Sequence, residues 1–489
     1  MVFVFEGNKP AVDISRNIIA STALKEGAEW CAFLDDDVVA PPNWIQRLRQ
    51  HNLPICYDNE TEILTLMGFK KFSELTFNDK IATLNPETEE IEYFKPVEIQ
   101  KLFYAGEMIQ IGGKGCSTDL LVTPDHSLYC RVNYYNTPTR KFEFIKAIDF
   151  YRQHHSCKFE FKRNAKWSCM DIEYFEPPKT GLEYLLSDER LKKYKYAMEL
   201  RKRGLGSRRT SKEIGIPEDT VEKWFNQGTN PVRNTLKIIK KIPINLWLEL
   251  LGWWLSEGCV SISRKRRSYR IRISNSDEKN LKEIEETIRK IGYTPNRSDR
   301  EVEFKSIQIA RYLKSLLGSP IVYPNRITYA GTKTIPLWVK NLPPRRLRHL
   351  FNTMMRGDGS KNFRNNSWYY STKSKALADD FQEILLKIGL SGTIHKTKDG
   401  LYNIQIVRKK FTPLSKLRPK IVNYKGYVYD VTMPKNHIIL VRRNGKIVWS
   451  GNCSGLYWRR HPDGTWPEVF RIDETGIPKP MRDEDLRLM

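Results

Sequence analysis

The feature that most constrains this chain is an internal repeat. LLGWWLSEG (250–258) is followed by SNSDEKNLKEIEETIRKIGY (274–293), and FNTMMRGDG (351–359) by STKSKALADDFQEILLKIGL (371–390). Each unit reads as a helix, an acidic turn, strands, then an amphipathic helix ending in Lys-Ile-Gly. This predicts two alike half-domains within 246–415, neither able to bury its apolar faces alone. Gly252 and Thr353 stand at equivalent positions and are small enough to let the two leading helices pack closely. Both helices close on an acid and a glycine, Glu257-Gly258 and Asp358-Gly359. Packed together they would bring two carboxylates side by side, an arrangement that calls for a cation between them. Such a pair suits a divalent-metal site for phosphodiester cleavage.

Charge points the same way. The chain carries a formal +25, yet acids outnumber bases in both 1–55 and 453–489. The basic excess therefore lies wholly in the middle, as expected of an insert that binds a polyanion such as nucleic acid. Arg264, Lys265, Arg266, Arg267, Arg270 and Arg272 crowd the strands of the first half, and Arg408, Lys409 and Lys410 those of the second. They suit phosphate contacts.

The grammar of the chain changes at Cys56. Residues 56–150 alternate apolar and polar residues in short β-like runs, and 420–452 return to that style. Residues 190–235 read helix, turn, helix, with Gly215 at the turn and Thr220 and Lys223 on the second helix. The flanks, 1–55 and 453–489, read as α/β and as a Trp- and Pro-rich segment. Eight cysteines show no CxxC pair and no disulfide framework, so a reducing cytoplasm is expected. MVFVFEGNKP has no signal-peptide pattern, and no apolar run approaches membrane-spanning length.

The paired motifs resemble those of monomeric two-motif LAGLIDADG homing endonucleases. That resemblance covers about 246–415. It implies that Glu257 and Asp358 bind Mg²⁺, that a basic residue stands near the metal, with Lys305 and Lys409 as candidates, and that the strands form a saddle over double-stranded DNA. Trp253, Trp254, Asn352 and Arg356 depart from the usual pattern, and Arg356 has no evident role. Residues 197–228 resemble a resolvase-type helix-turn-helix, whose second helix would enter a major groove.

The ends of the middle region resemble inteins. CYDNETEILTLMGFKKFSEL matches the first splicing block and LLVTPDHSLY the second, with Thr123 and His126 at the family's spacing. YVYDVTMPKNHIILVRRNGKIVWSGN carries Asp430 and His437, ends at Asn452 and is followed by Cys453. The resemblance implies thioester formation at Cys56, helped by Thr123 and His126, transfer to Cys453, cyclisation of Asn452, and ligation of Ile55 to Cys453, with no cofactor. Gly451 stands where a His is usual.

The flanks resemble family-2-like glycosyltransferases of the GT-A fold, which implies a nucleotide sugar held through Mg²⁺ or Mn²⁺ on Asp35 and Asp37. The expected architecture is thus multidomain. An all-β Hint splicing domain is split by an α+β two-repeat endonuclease and a small helix-turn-helix, within an α/β host fragment. Two other readings stay open: a glycosyltransferase carrying an inactive insert, and a DNA-binding regulator without cleavage.

Overall fold

The computed structural model describes residues 56–113, 115–134, 137–138, 141–155, 158–179, 188–229, 239–263, 268–323, 326–329, 331–363, 366–412, 419–452, 465–472 and 478–482. The fold is mixed α/β. No helix among these residues is long and apolar enough to cross a membrane.

The first and last stretches of the middle region make one β structure. The strand Glu98–Gly112 pairs antiparallel along its length with Lys420–Thr432, and its inner end also pairs with Asp119–Val122. A second sheet combines Glu62–Thr65, Gly68–Lys71, Ile81–Leu84 and Ile91–Phe94 with Ile438–Arg443 and Lys446–Gly451. A third holds Ser127–Tyr134, Glu143–Lys146, Lys158–Lys162 and Phe411–Thr412, beside the short helix α1 (Ala147–Gln153). Alternation places Ile109, Ile111, Val431, Ile439 and Val441 in a shared core. Neither sequence segment could form these sheets without the other.

Three helices follow: α2 (Asp188–Lys202), α3 (Ser207–Ile214) and α4 (Glu218–Asn226). They close on a small core of their own, including Ala197, Leu200, Val221, Trp224 and Phe225. Gly215 caps α3 with a positive φ of 62°, the left-handed turn that glycine permits.

The repeat folds twice. In the first unit, α5 (Ile244–Glu257) leads into a four-stranded sheet formed by Gly258–Ser263, Ser268–Ser274, Asn296–Arg297 and Glu301–Lys305, backed by α6 (Glu278–Ile291). Helices α7 (Ile307–Ser315) and α8 (Leu337–Lys340) connect to the second unit. There α9 (Pro344–Gly357) leads into Gly359–Asn362, Ser367–Thr372, Ser391–Lys396 and Tyr402–Val407, backed by α10 (Lys375–Lys387). Equivalent residues cap the backing helices: Asp277 accepts from the Lys279 amide and Ser374 from that of Leu377. Beyond their ends, Gly292 and Gly389 both take positive φ. Helix α5 is apolar nearly all round because it runs through the core, where Trp247, Trp253 and Trp254 are fully buried.

The two repeats differ in one respect that periodicity does not announce. Thr393 of the second repeat bridges Lys446, so its sheet runs on into the β structure as one ten-stranded sheet. Buried Arg442 reinforces the seam. Its guanidinium binds Glu62 at 2.6 and 2.8 Å, Asp379 of α10 at 2.6 Å and Gln382 at 3.1 Å, and it lies 3.8 Å from the centre of the Phe69 ring. Finally, Thr465–Ile472 and Pro478–Arg482 pair with each other.

Candidate active sites

The first site lies where α5 and α9 pack together. A Cβ placed on Gly252 would fall 2.8 Å from the Cβ of Thr353, so the two positions matched in the repeat face one another with no room for a larger residue. One turn on, a Cβ on Gly357 would meet Ser256 Cβ at 2.5 Å and Glu257 Cγ at 3.6 Å. This close approach sets Glu257, the last residue of α5, near Asp358, the C-cap of α9.

Burial raises the pKa of both carboxyls. Asp358 is pushed up to about 7, first by burial and then by the Glu257 charge, against an opposing pull from Lys333. Glu257 is raised by burial and eased by Lys333. Lys333 is itself buried, and its ammonium donates to the carbonyls of Trp254 (2.7 Å) and Leu255 (2.9 Å) at the end of α5. Burial brings its pKa down to about 8. A cation between the acids would relieve their repulsion, so the donor set fits a hard divalent ion. No group of three or more His, Cys, Asp or Glu that could hold a metal is found among the described residues.

The basic side chain beside the acids is thus Lys333, rather than the expected Lys305 or Lys409. Lys305 ends its strand opposite Arg270, and Lys409 is exposed beyond the strand Tyr402–Val407. Lys333 sits in GTKTIP, outside both repeat units, so no periodic signal marked it. Arg356 gains a partner: it pairs with Glu283 of α6, and its guanidinium lies 5.1 Å from the Trp253 ring centre.

On the first sheet Arg270 and Arg272 alternate with buried Ile271 and Ile273, so they stand on the face away from the helices. Arg408, Lys409 and Lys410 are exposed. Arg264, Lys265, Arg266 and Arg267 lie outside the described residues. Tyr369, Ser371, Asn403 and Gln405, which composition did not single out, occupy the outward face of the second sheet, where Ser371 donates to Asn403 at 2.8 Å. In the helix-turn-helix, Lys223 is exposed and Thr220 half-buried on α4. The first turn of that helix is acidic, with Glu218 and Asp219. More of this element's exposed bases lie on and around α2 and α3, among them Arg201, Lys202, Arg203, Arg208, Arg209 and Lys212.

The second site gathers both ends of the middle region. Tyr57 bridges Val122 on one side and Tyr429 on the other, which buries Cys56 completely. The Cys56 amide donates to Thr123 Oγ1 at 2.9 Å, and the Thr123 amide to the Cys56 carbonyl at 3.0 Å. His126, fully buried, stands edge-on to Tyr57 with ring centres 4.3 Å apart, and its Nε2 is 3.2 Å from Ser450 Oγ. The Tyr57 hydroxyl donates to the Gly451 carbonyl at 2.5 Å. Asn452 is buried, its amide side chain donating to the Val431 carbonyl at 2.8 Å and its backbone amide to the His437 carbonyl at 3.3 Å. Asp430 is buried and accepts from the Val431 amide at 2.7 Å, and His437 adopts a positive φ of 49° with its pKa lowered by burial. The residues singled out at the two ends thus converge, joined by Tyr57 and Ser450, which sequence reading passed over. Cys453, Asp35 and Asp37 lie outside the described residues.

Residues 247–314 and 345–412 match the LAGLIDADG-like domain, one stretch for each repeat. Among curated proteins, the chain is 21% identical over 349 residues to the ATP-dependent Clp protease proteolytic subunit of Chlamydomonas moewusii, covering 70% of this chain and 28% of that one. It is 24% identical over 469 residues to the DNA-directed RNA polymerase subunit beta C-terminal section of Stigeoclonium helveticum, covering 82% and 37%. It is 23% identical over 436 residues to the ribonucleoside-diphosphate reductase subunit beta of Aquifex aeolicus, covering 85% and 53%. The chain therefore spans about half or less of the length of these relatives. Among solved structures, I-DmoI in complex with DNA and Mn is 16% identical with a TM-score of 0.26, covering 33% of this chain and 89% of that one. The AceL NrdHF class 3 split intein is 19% identical with a TM-score of 0.19, covering 23% and 67%.

Proposed function

We propose that this chain is a self-excising protein insert that carries a divalent-metal-dependent, site-specific endonuclease for double-stranded DNA. The observation that carries the nuclease reading is the pairing of Glu257 and Asp358 at the ends of two tightly packed helices, beside the buried Lys333. The two carboxylates would hold Mg²⁺, which would supply Lewis-acid stabilisation of the phosphodiester undergoing attack. Lys333, with a pKa near 8, is placed to donate charge or a proton close to the scissile phosphate. Arg270, Arg272, Arg408, Lys409 and Lys410 would hold backbone phosphates. Asn403 and Gln405 on the outward face suit reading of base edges in a major groove.

The splicing reading is favoured by the meeting of Cys56, Thr123, His126, Gly451 and Asn452. Thr123 accepts from the peptide nitrogen of Cys56, and His126 lies against the adjoining Tyr57 ring. A proton must reach that nitrogen as the carbonyl of Ile55 moves to sulfur, and His126 would supply it. Asn452 would then attack its own carbonyl carbon through its side-chain nitrogen, after the acyl group has moved to Cys453. The relatives lend independent support. A protease subunit, a polymerase subunit and a reductase subunit have no activity in common, yet the chain aligns with each. That is the pattern expected of an insert carried by unrelated hosts. A nucleotide sugar held by Asp35 and Asp37 rests on sequence alone.

Two measurements test the proposal. Linear DNA encoding residue 55 joined directly to residue 453 is incubated with the protein in Mg²⁺ and in chelator. A double-strand break at the joint that needs Mg²⁺ is expected, and Glu257→Gln and Asp358→Asn should bind without cutting. Binding without cleavage by the unaltered protein would leave only a DNA-binding role. Mass spectrometry of the doubly tagged chain should reveal free 56–452 and the ligated flanks, both absent from Cys56→Ala with Asn452→Ala. An intact product at every temperature would end the splicing reading.

A further inference from the structure

One face of the long β-ribbon carries a matched pair of side chains that the splicing chemistry leaves unused. Where Glu98–Gly112 pairs with Lys420–Thr432, Tyr104 stands opposite Gly426 and Gly106 opposite Tyr424. Alternate residues of a strand share a face, so Tyr104, Gly106 and Met108 lie on the same side as Tyr424, Gly426 and Val428. Each tyrosine lies down over the glycine two residues further along its own strand. A Cβ on Gly106 would be 2.9 Å from the Tyr104 hydroxyl oxygen, and one on Gly426 would be 3.0 Å from that of Tyr424. The hydroxyls fasten the far ends, Tyr104 donating to the Glu107 carbonyl at 2.7 Å and Tyr424 to the Tyr427 carbonyl at 2.8 Å. The glycines leave space that the rings fill, a reciprocal use of aromatic cover over strand glycines. Both tyrosines pack against the small buried cluster to which Cys56 belongs, with Met108, Leu121 and Val428.

We infer that Tyr104 and Tyr424 are positioning residues for the junction, a paired aromatic cover that keeps water from the acyl group once it has moved onto Cys56. The inference rests on the splicing reading. In the shift, the Cys56 sulfur adds to the carbonyl carbon of residue 55, the C–N bond breaks, and the thiol proton passes to the freed amine. Hydrolysis begins at the same carbon: water adds, the C–S bond breaks, the sulfur regains a proton and a carboxylic acid departs. Excluding water slows the second reaction and leaves the first untouched. Transfer to the thiol of residue 453 needs no water, so the cover would favour ligation over loss of the upstream flank.

The test uses the full chain carrying Asn452→Ala and Cys453→Ala, in which the acyl group has no forward path. Cleavage after residue 55 is followed in buffer alone and in hydroxylamine. With Tyr104→Ala or Tyr424→Ala, cleavage in buffer should rise about ten-fold as water gains access, while cleavage in saturating hydroxylamine, where thioester formation sets the rate, stays near the parent rate. Tyr104→Phe, which keeps the ring, should stay close to the parent in both. Parent-like cleavage in buffer by the alanine variants, with hydroxylamine cleavage intact, would overturn the cover. Hydroxylamine cleavage of neither parent nor variants would show that no thioester forms, and the splicing reading would fall with it. Should the alanine variants not fold, Gly426→Ala lifts the Tyr424 ring with one methyl group and is judged by the same criterion.

Discussion

The hydroxyl of Tyr57 donates a 2.5 Å hydrogen bond to the carbonyl of Gly451, across 394 residues of sequence. One residue follows Cys56 and the other precedes Asn452, so this contact ties the two ends of the middle region together. It also explains the unusual glycine. A Cβ at position 451 would lie 2.3 Å from the Ser127 carbonyl oxygen, closer than any side chain tolerates.

The expected consequence is that Gly451→His, which restores the residue usual at this place in the resembled family, slows release at Asn452. A several-fold loss of C-terminal cleavage, measured by mass spectrometry, is the outcome expected of a displaced backbone. Faster cleavage would mean that the Ser127 contact relaxes readily and that the glycine limits the rate. Tyr57→Phe removes the hydrogen bond but keeps the ring against His126, and should slow the same step less.

Asp358 titrates within the physiological range, and its sign is definite. Its folded pKa, about 7, lies above the ordinary value of 3.8. Below pH 4 the group is protonated whether the chain is folded or not, and it has no effect. Between about 4 and 7 the unfolded chain sheds the proton first, so metal-free stability falls as pH rises through that window. A cation needs the carboxylate, so it must displace a proton below pH 7. The rise in melting temperature on adding Mg²⁺ should therefore be small at pH 5.5 and large at pH 8. Asp358→Asn should abolish that rise and make the metal-free protein more stable at pH 8. A metal effect independent of pH would place the ion elsewhere.

Lys333 separates binding from chemistry. It touches backbone carbonyls at the end of α5 and feels both acids, yet it is buried and so is no general phosphate anchor. Lys333→Met should lower the cleavage rate by about 10²–10⁴-fold while DNA affinity, measured in Ca²⁺, changes little. Equal loss of binding and cleavage would assign it a structural role.

Much of this was legible because it is periodic or short-range. The repeat foretold two helix–strand–helix units, and Lys-Ile-Gly foretold helix ends, since Gly292 and Gly389 need a left-handed backbone. Gly252 and Thr353 foretold a close helix crossing because size alone decides it. Lys333, Ser450 and Tyr57 were not legible. Each matters through a partner distant in sequence, and nothing in its own neighbourhood sets it apart. Arg356 looked misplaced within a motif helix because its partner, Glu283, sits on the other repeat.

The seam at Arg442 shows what boundaries drawn from patterning miss. Sequence style changes near 415–420, suggesting two independent pieces, but the sheet runs across the join and Arg442 is buried within it. Its charge is balanced by Glu62 on one side and Asp379 on the other, with side-chain exposures of 25% and 19%. Replacing it removes the shared cation and strands the partly buried Glu62 carboxylate, while Asp379 keeps its half-exposed partner Lys375. Losing one partner of such a pair typically costs about 3–5 kcal/mol. Arg442→Leu should thus lower the unfolding free energy by an amount in that range and split one transition into two. The second transition would report the repeat losing its hold on the β structure. Arg442→Leu combined with Glu62→Gln and Asp379→Asn, which removes the stranded charges, should recover most of the loss. A triple variant as unstable as the single one would mean that the stacking of Arg442 on Phe69 matters more than the charges.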